Sequence, residues 1–194
     1  MVRQKIQKWK KLGLAASVLA LAAGSVAFAL LQSHADLTGN SIQTDSAGLL
    51  ISKDTNIYSV SANGYAFTHV IPGYQASQAE PIFLENTGSA PLALRLKADN
   101  PPTNADNMDL SKVKVVLTPR AAGTNAPGTP QSFPLQSLID SPEGMPIDSP
   151  VALAPSDHQR FDIQMSMDAD AVSGSSAALS NLDLTFTGVA SSDQ

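Results

Sequence analysis

The stretch from Arg160 to Met167 reads RFDIQMSM, and its alternation of apolar and polar side chains decides the class of fold. Every second residue is apolar: Phe161, Ile163, Met165 and Met167. In an extended strand these side chains share one face and the polar ones share the other. One buried and one solvated face is typical of an antiparallel sheet, so we expect this stretch to be such a strand.

Similar β-rich runs occur on both sides of this stretch, separated by turn-forming sequences such as Asn63-Gly64 and Pro72-Gly73. The runs are Gly48–Ser52, Asn56–Val60, Ala66–Ile71, Pro81–Glu85, Leu92–Lys97, Val113–Thr118 and Leu182–Val189. About eight short strands without an amphipathic helix predict an all-β domain. We expect an antiparallel two-sheet sandwich or jelly roll over residues 46–190.

Residues 119–157 interrupt this pattern, because they contain eight of the thirteen prolines. Proline cannot donate to a strand ladder. We therefore predict a loop-rich insertion there.

The first 31 residues have the composition of an export signal. Five basic side chains and no acidic one precede an apolar run from Leu12 to Leu31; they are Arg3, Lys5, Lys8, Lys10 and Lys11. Ala27 and Ala29 stand at the −3 and −1 positions of a cleavage site after Ala29, which predicts a signal peptide over residues 1–29. A second site would cut after Ala35.

Two fates are open for this segment. A signal peptidase removes it, or it stays as an anchor, since twenty apolar residues can span a bilayer core of about 30 Å. In both cases the remainder is exported, and we expect an extracellular protein.

Composition excludes several classes of function. The 194-residue chain has no cysteine, so disulfides, thiolate metal sites and cysteine nucleophiles are excluded. Its formal net charge of −5 becomes −10 without residues 1–29, because those residues carry five of the twelve basic side chains and none of the 17 acidic ones. Such acidity argues against nucleic acid as a partner.

Catalytic motifs are missing from the sequence. His34, His69 and His158 stand on separate segments and form no H-E-x-x-H motif, so they are strand or loop histidines or, alternatively, share a metal site. No G-x-S-x-G elbow occurs. We expect a protein that is not an enzyme and needs no cofactor or metal.

Two acidic clusters need a separate interpretation. Residues 104–109 and 168–170 bring Asp and Asn side chains together but lack the glycine and the distant glutamate of an EF-hand loop. They are interpreted as turn-capping residues, with weak calcium binding as the alternative.

Five segments resemble the motifs of the TasA/camelysin family of exported proteins. They are Gly39–Ile51, Val70–Gly73, Phe83–Leu96 (FLENTGSAPLALRL), Phe161–Met167 and Leu182–Thr187. The Ala-aromatic-Ala site at Ala27–Ala29 also fits the family. The chain departs from the pattern at Tyr74, where the family has an acid.

This resemblance implies a jelly-roll subunit of an extracellular fibre or biofilm matrix. In such fibres the mature N-terminal segment, here residues 30–45, leaves its own domain and pairs as a donor strand with the next subunit. The partner is then the chain itself, head to tail, together with minor matrix proteins. The apolar residues of the segment are Leu30, Leu31, Ala35, Leu37 and Ile42.

Alternatives to this interpretation concern both the segment and the function. Leu31, Ala35 and Leu37 share one parity, as a half-buried strand requires, yet the segment could equally be a disordered tail or pair within its own chain. The competing functions are a camelysin-like surface metallopeptidase and a monomeric surface domain that binds a ligand or carbohydrate through residues 119–157.

Overall fold

A computed structural model describes residues 35–38, 41–44, 48–70, 73, 78–99, 103–104, 108–148, 152–171, 178–180 and 182–190. These residues form strands joined mainly by turns, with a short helix α1 (Leu135–Asp140) and a 3-10 turn (Leu110–Lys112). The strands are β1 (Ala35–Thr38), β2 (Ser41–Thr44), β3 (Leu49–Ser52), β4 (Ser61–Asn63), β5 (Phe67–Val70), β6 (Glu80–Asn86), β7 (Leu92–Asp99), β8 (Thr103–Asn104), β9 (Val113–Arg120), β10 (Gln131–Pro134), β11 (Met145–Pro146), β12 (His158–Met167), β13 (Ala178–Ser180) and β14 (Asp183–Ala190).

Sheet I has the strand order β10-β9-β12-β6-β3 and is antiparallel throughout. Its central strand β12 contains the alternating stretch that opened the sequence analysis. Phe161 and Ile163 are completely buried, and the register places them opposite Ile82 and Leu117, which are buried as well. The period-two pattern therefore predicted the buried face of this strand correctly.

Sheet II has the order β11-β7-β14-β2-β4. Strands β7 and β14 pair antiparallel over eight residues, and Leu96 lies opposite Phe186, both with no exposed surface. One continuous core contains side chains of both sheets, which makes the domain a sandwich. The prediction of an all-β, antiparallel two-sheet sandwich is confirmed.

Two strand pairs in the described part of the chain differ from the antiparallel expectation. β2 runs parallel to β14, and β1 runs parallel to β13. β1 and β13 belong to a small sheet III with the order β5-β1-β13-β8. Both parallel pairs join the N-terminal segment to strands more than 100 residues later, so no local sequence signal could specify their direction.

Residues 119–157 contribute to the core as well as to loops. They contain β10, α1 and β11, and Phe133, Leu135 and Leu138 are completely or almost completely buried. α1 packs against β7 and β9. Pro134 and Pro146 lie in the edge strands β10 and β11, and Pro142 and Pro155 lie in turns, where a missing N–H is tolerated.

Asn86, the last residue of β6, is a completely buried polar side chain. Its Nδ2 donates hydrogen bonds to the carbonyl oxygens of Ala90 and Leu153, both at 2.9 Å. Its Oδ1 accepts a hydrogen bond from the backbone N–H of Gly88, also at 2.9 Å. This amide therefore fixes the β6–β7 turn and ties it to the loop before β12.

Asn86→Asp should destabilise the domain strongly, because an oxygen would replace the nitrogen that faces two carbonyl oxygens. We expect the free energy of unfolding, measured by urea denaturation, to fall by about 3 kcal/mol or more. Asn63→Asp, the same change at an exposed position of β4, should cost within about 0.5 kcal/mol. Equal losses for the two variants would contradict this role of Asn86.

Candidate functional site

Strand β2 occupies a slot inside sheet II. It pairs in parallel with β14 on one side and antiparallel with β4 on the other. The register places Ile42 between Leu184, which is buried, and Ala62, which packs against the core. The alternating sequence Ser41-Ile42-Gln43-Thr44, with two β-branched residues, favours an extended strand at this place.

Strand β1 occupies a similar slot in sheet III, between β5 and β13. Leu37 lies in register with Phe67 on one neighbour and Leu179 on the other, and both of these are buried. The N-terminal segment thus supplies a middle strand to each of two sheets. Removal of the segment would leave unpaired backbone N–H and C=O groups on four later strands.

The predicted donor residues fall partly inside the described residues. Ala35 and Leu37 lie in β1 and Ile42 lies in β2. Leu30 and Leu31 lie outside the described residues, as do Ala27, Ala29 and the whole predicted signal peptide over residues 1–29. The segment that was expected to be a single donor strand forms two short strands in different sheets, and both pair with strands of their own chain.

Gly48 marks the boundary between this segment and the rest of the domain. Its φ of 85° lies in the left-handed region, and a Cβ there would meet the backbone nitrogen of Gly88 at 2.9 Å. Its carbonyl oxygen accepts hydrogen bonds from the N–H of Thr87 at 2.6 Å and from the Thr87 hydroxyl at 3.1 Å. From Leu49 onward the chain enters the core, because Leu49 and Ile51 are fully buried.

Tyr65 attaches the β4 side of the slot to sheet I. Its hydroxyl donates a hydrogen bond to the carbonyl oxygen of Pro81 at 2.5 Å, and the Lys53 Nζ lies 3.8 Å from the centre of its ring. Burial, together with the negative charges of Glu80 and Asp54, raises the pKa of Tyr65 to about 12. The neutral phenol is the form that this environment favours.

An exposed apolar loop precedes the edge strand β4. Ile57 and Val60 are 76% and 63% exposed, although the sequence predicted that Asn56–Val60 was a strand. The run was predicted to be a strand because Ile, Tyr and Val favour strands, but its residues Ile57 and Val60 are three positions apart and do not alternate.

Of the three histidines, only His158 has a described side chain. His158 begins β12, and its Nε2 lies 3.6 Å from the Glu85 carboxylate beside the Tyr58 ring, at a ring-centre distance of 5.5 Å. His69 lies in β5, and His34 lies outside the described residues. Within the described ranges, no three His, Asp or Glu side chains are grouped closely enough to hold a metal ion.

The acidic clusters have structural partners where they are described. Asp109 Oδ1 accepts hydrogen bonds from the Ser111 N–H at 2.9 Å and hydroxyl at 2.6 Å, which lower the pKa of this carboxyl group and cap the 3-10 turn. Asp170 pairs with Lys112 at 2.7 Å, and Asp168 pairs with Lys114. The capping interpretation is correct for Asp109, whereas the two later aspartates serve as lysine partners.

No protein-family profile matches the chain, and no curated protein matches its sequence. The resemblance to the TasA/camelysin family therefore rests on the motifs quoted above. Three of those motifs contain a residue with a steric or hydrogen-bonding role: Gly48, Asn86, and Gly73, whose φ is 64° and whose N–H donates to the Met167 carbonyl at 2.8 Å. In the part of the chain described here, no helix is long and apolar enough to cross a membrane.

Gly48→Ala should destabilise the domain more than Gly123→Ala. Both glycines have a positive φ, but a Cβ at Gly123 would meet no atom within 4 Å. We expect Gly123→Ala to cost about 1 kcal/mol from backbone strain alone, and Gly48→Ala to cost about 3 kcal/mol because backbone must also move. Equal losses in urea denaturation would show that the contact with Gly88 is unimportant.

The stability of the domain should depend on Tyr65 at alkaline pH. Since the folded-state pKa is raised above the ordinary value of about 10, the stabilisation by the neutral phenol is complete below pH 10 and is lost as the pH rises through 12. Tyr65→Phe should be less stable at pH 8, and the difference from the natural chain should narrow between pH 10 and 12. A constant difference across that range would contradict the shift.

Proposed function

We propose that this chain is a secreted structural subunit of an extracellular fibre or biofilm matrix, which polymerises head to tail by exchange of its N-terminal strands. The observation that carries the proposal is the position of β1 and β2. Each lies between two strands from later in the chain and pairs with both. A segment in such a position can be replaced by the same segment of another molecule without loss of any backbone pairing.

Exchange in this form has a simple energetic basis. A donor from a second subunit makes the same hydrogen bonds and places Ile42 in the same register between Leu184 and Ala62. The donor and the slot are different surfaces, so the contact is heterologous and propagates along a filament instead of closing a dimer. Burial of one Leu or Ile side chain is worth about 1.5–3 kcal/mol, and every interface repeats it.

Gly48 defines where exchange would begin. The residues after it are packed in the core, and Gly48 itself is bound by the Thr87 hydrogen bonds. The exchanged segment would therefore end at this glycine.

The remaining parts of the proposal follow from the sequence. A signal peptidase would release residues 30–194, and the net charge of −10 would keep the subunit soluble before assembly. Minor matrix proteins are further partners of such fibres. The proposal assigns the chain no catalytic activity and no cofactor.

Cysteine pairs can distinguish exchange from pairing within one molecule, because the chain has no cysteine of its own. Gln43 and Ser61 lie opposite each other on β2 and β4. The double variant Gln43→Cys/Ser61→Cys, oxidised after assembly, should give a ladder of covalent oligomers on a non-reducing gel and filaments in electron microscopy. A single monomer band, cross-linked within the chain, would reject the proposal.

Two further variants complete the test. Deletion of Leu30–Leu37 or the change Leu37→Asp should leave a folded monomer that forms no filaments alone. The pair Gln43→Cys/Asn56→Cys is the matched control, since Asn56 is exposed and outside the β2–β4 register. It should give no ladder.

A further inference from the structure

A groove of about 400 Å³ lies on the outer face of sheet I, away from the slots of β1 and β2. Its floor is a row of side chains on three neighbouring strands, in which Arg160 of β12 lies in register with Phe83 of β6 and with Arg120 of β9. The β3–β4 and β9–β10 loops form its walls. The principal lining residues are Tyr58, Phe83, Arg120, Asn125, His158 and Arg160.

Two guanidinium groups are held at this surface by one buried carboxylate. Asp162 is 7% exposed; its Oδ2 accepts from the Nε of Arg120 at 2.8 Å, and its Oδ1 accepts from the Nε of Arg160 at 3.1 Å. The two arginine side chains remain 25% and 32% exposed and line the groove, whereas no carboxylate does so among the described residues. Asp162 thus holds two guanidinium groups at the groove, and the Glu85 carboxylate lies 3.6 Å from the Nε2 of His158, which also lines it.

The walls of the groove are held in uncommon backbone conformations. Thr55 and Asn125, which both line it, have φ values of 49° and 55°, in the left-handed region. A β-branched threonine is rarely found there. Asn125 is fixed by its N–H bond to Ala121 at 2.9 Å, and Asp54 accepts the Asn56 N–H at 3.0 Å on the other wall. Such strain persists where the surrounding structure imposes it, and it is concentrated at binding sites.

The groove offers side chains but no free strand edge. Strands β6, β12 and β9 are each paired on both sides, so a peptide cannot add to the sheet here. The recognition groups are the guanidinium donors, the Asn125 amide, the Thr55 hydroxyl and the ring of Tyr58. These groups suit a sugar ring that carries a carboxylate, because the carboxylate pairs with arginine, the hydroxyls take hydrogen bonds, and the C–H face packs on an aromatic ring.

We propose that this arginine groove binds a uronic-acid unit of an acidic polysaccharide. The inference does not depend on polymerisation, because the groove is complete within one domain. Arg120 and Arg160 bind the carboxylate, and Tyr58 contacts the sugar ring.

Calorimetric titration of the full-length chain with trigalacturonate tests this proposal. We expect trigalacturonate to bind at least ten-fold more tightly than maltotriose, a neutral trisaccharide, and triglutamate, a peptide with the same number of side-chain carboxylates. The affinity should fall as salt is added, since part of it is ionic. No binding of trigalacturonate would overturn the proposal. Equal binding of triglutamate would also overturn it, because the groove would then recognise an acidic peptide and not a sugar.

Variants locate the binding in the groove. Arg160→Gln and Tyr58→Ala should each weaken trigalacturonate binding at least ten-fold. Lys112→Gln, which removes an equal charge outside the groove, should change it less than two-fold. If circular dichroism shows that Arg160→Gln is unfolded, the test depends on Tyr58→Ala. Tyr58 lies in the β3–β4 loop, outside the core, so we expect this variant to fold. Unchanged affinity in folded Tyr58→Ala, or an equal loss in Lys112→Gln, would overturn the assignment.

Discussion

The buried amide of Asn86 is the constraint on which most of the fold depends. Beside its side-chain bonds to the β6–β7 turn and to Leu153, its backbone pairs with the loop before β12: its N–H donates to Asp157 at 3.1 Å, and its carbonyl accepts from Ser156 at 2.7 Å. Thr87 lies in this turn, and its N–H donates a hydrogen bond to the carbonyl oxygen of Gly48. An apolar residue of similar size would leave several buried polar groups without partners, so only a side chain with both donors and an acceptor serves here.

The same constraint separates the fixed part of the chain from the part proposed to move. On one side of Gly48 the residues are bound by core packing and by the Asn86 turn. On the other side, β1 and β2 each pair with two strands from later in the chain. A segment with this kind of attachment can be exchanged between molecules at little cost, since the broken and the reformed pairs are the same.

The sequence predicted those features of the fold that depend on local periodicity. The alternation in β12 predicted its buried face, and the motif that contains Asn86 was identified although its hydrogen bonds were not. The two parallel pairs and the buried residues of 119–157 were missed, because they depend on contacts between distant segments. The arginine groove was missed for the same reason: Arg120 and Arg160 are forty residues apart in sequence and become neighbours only through the β9–β12 register.

The two proposals use different surfaces of one domain, and this separation has a physical consequence. The strand slots lie in sheets II and III, whereas the groove lies on the outer face of sheet I. In a filament formed by strand exchange, every subunit would therefore present its groove at a regular spacing. A single uronate contact is weak, because exposed ionic pairs contribute little in water. A polysaccharide that occupies several grooves at once gains affinity by effective concentration without any new contact. Polymerisation would thus convert a weak site on one domain into strong attachment of an acidic polymer along the fibre.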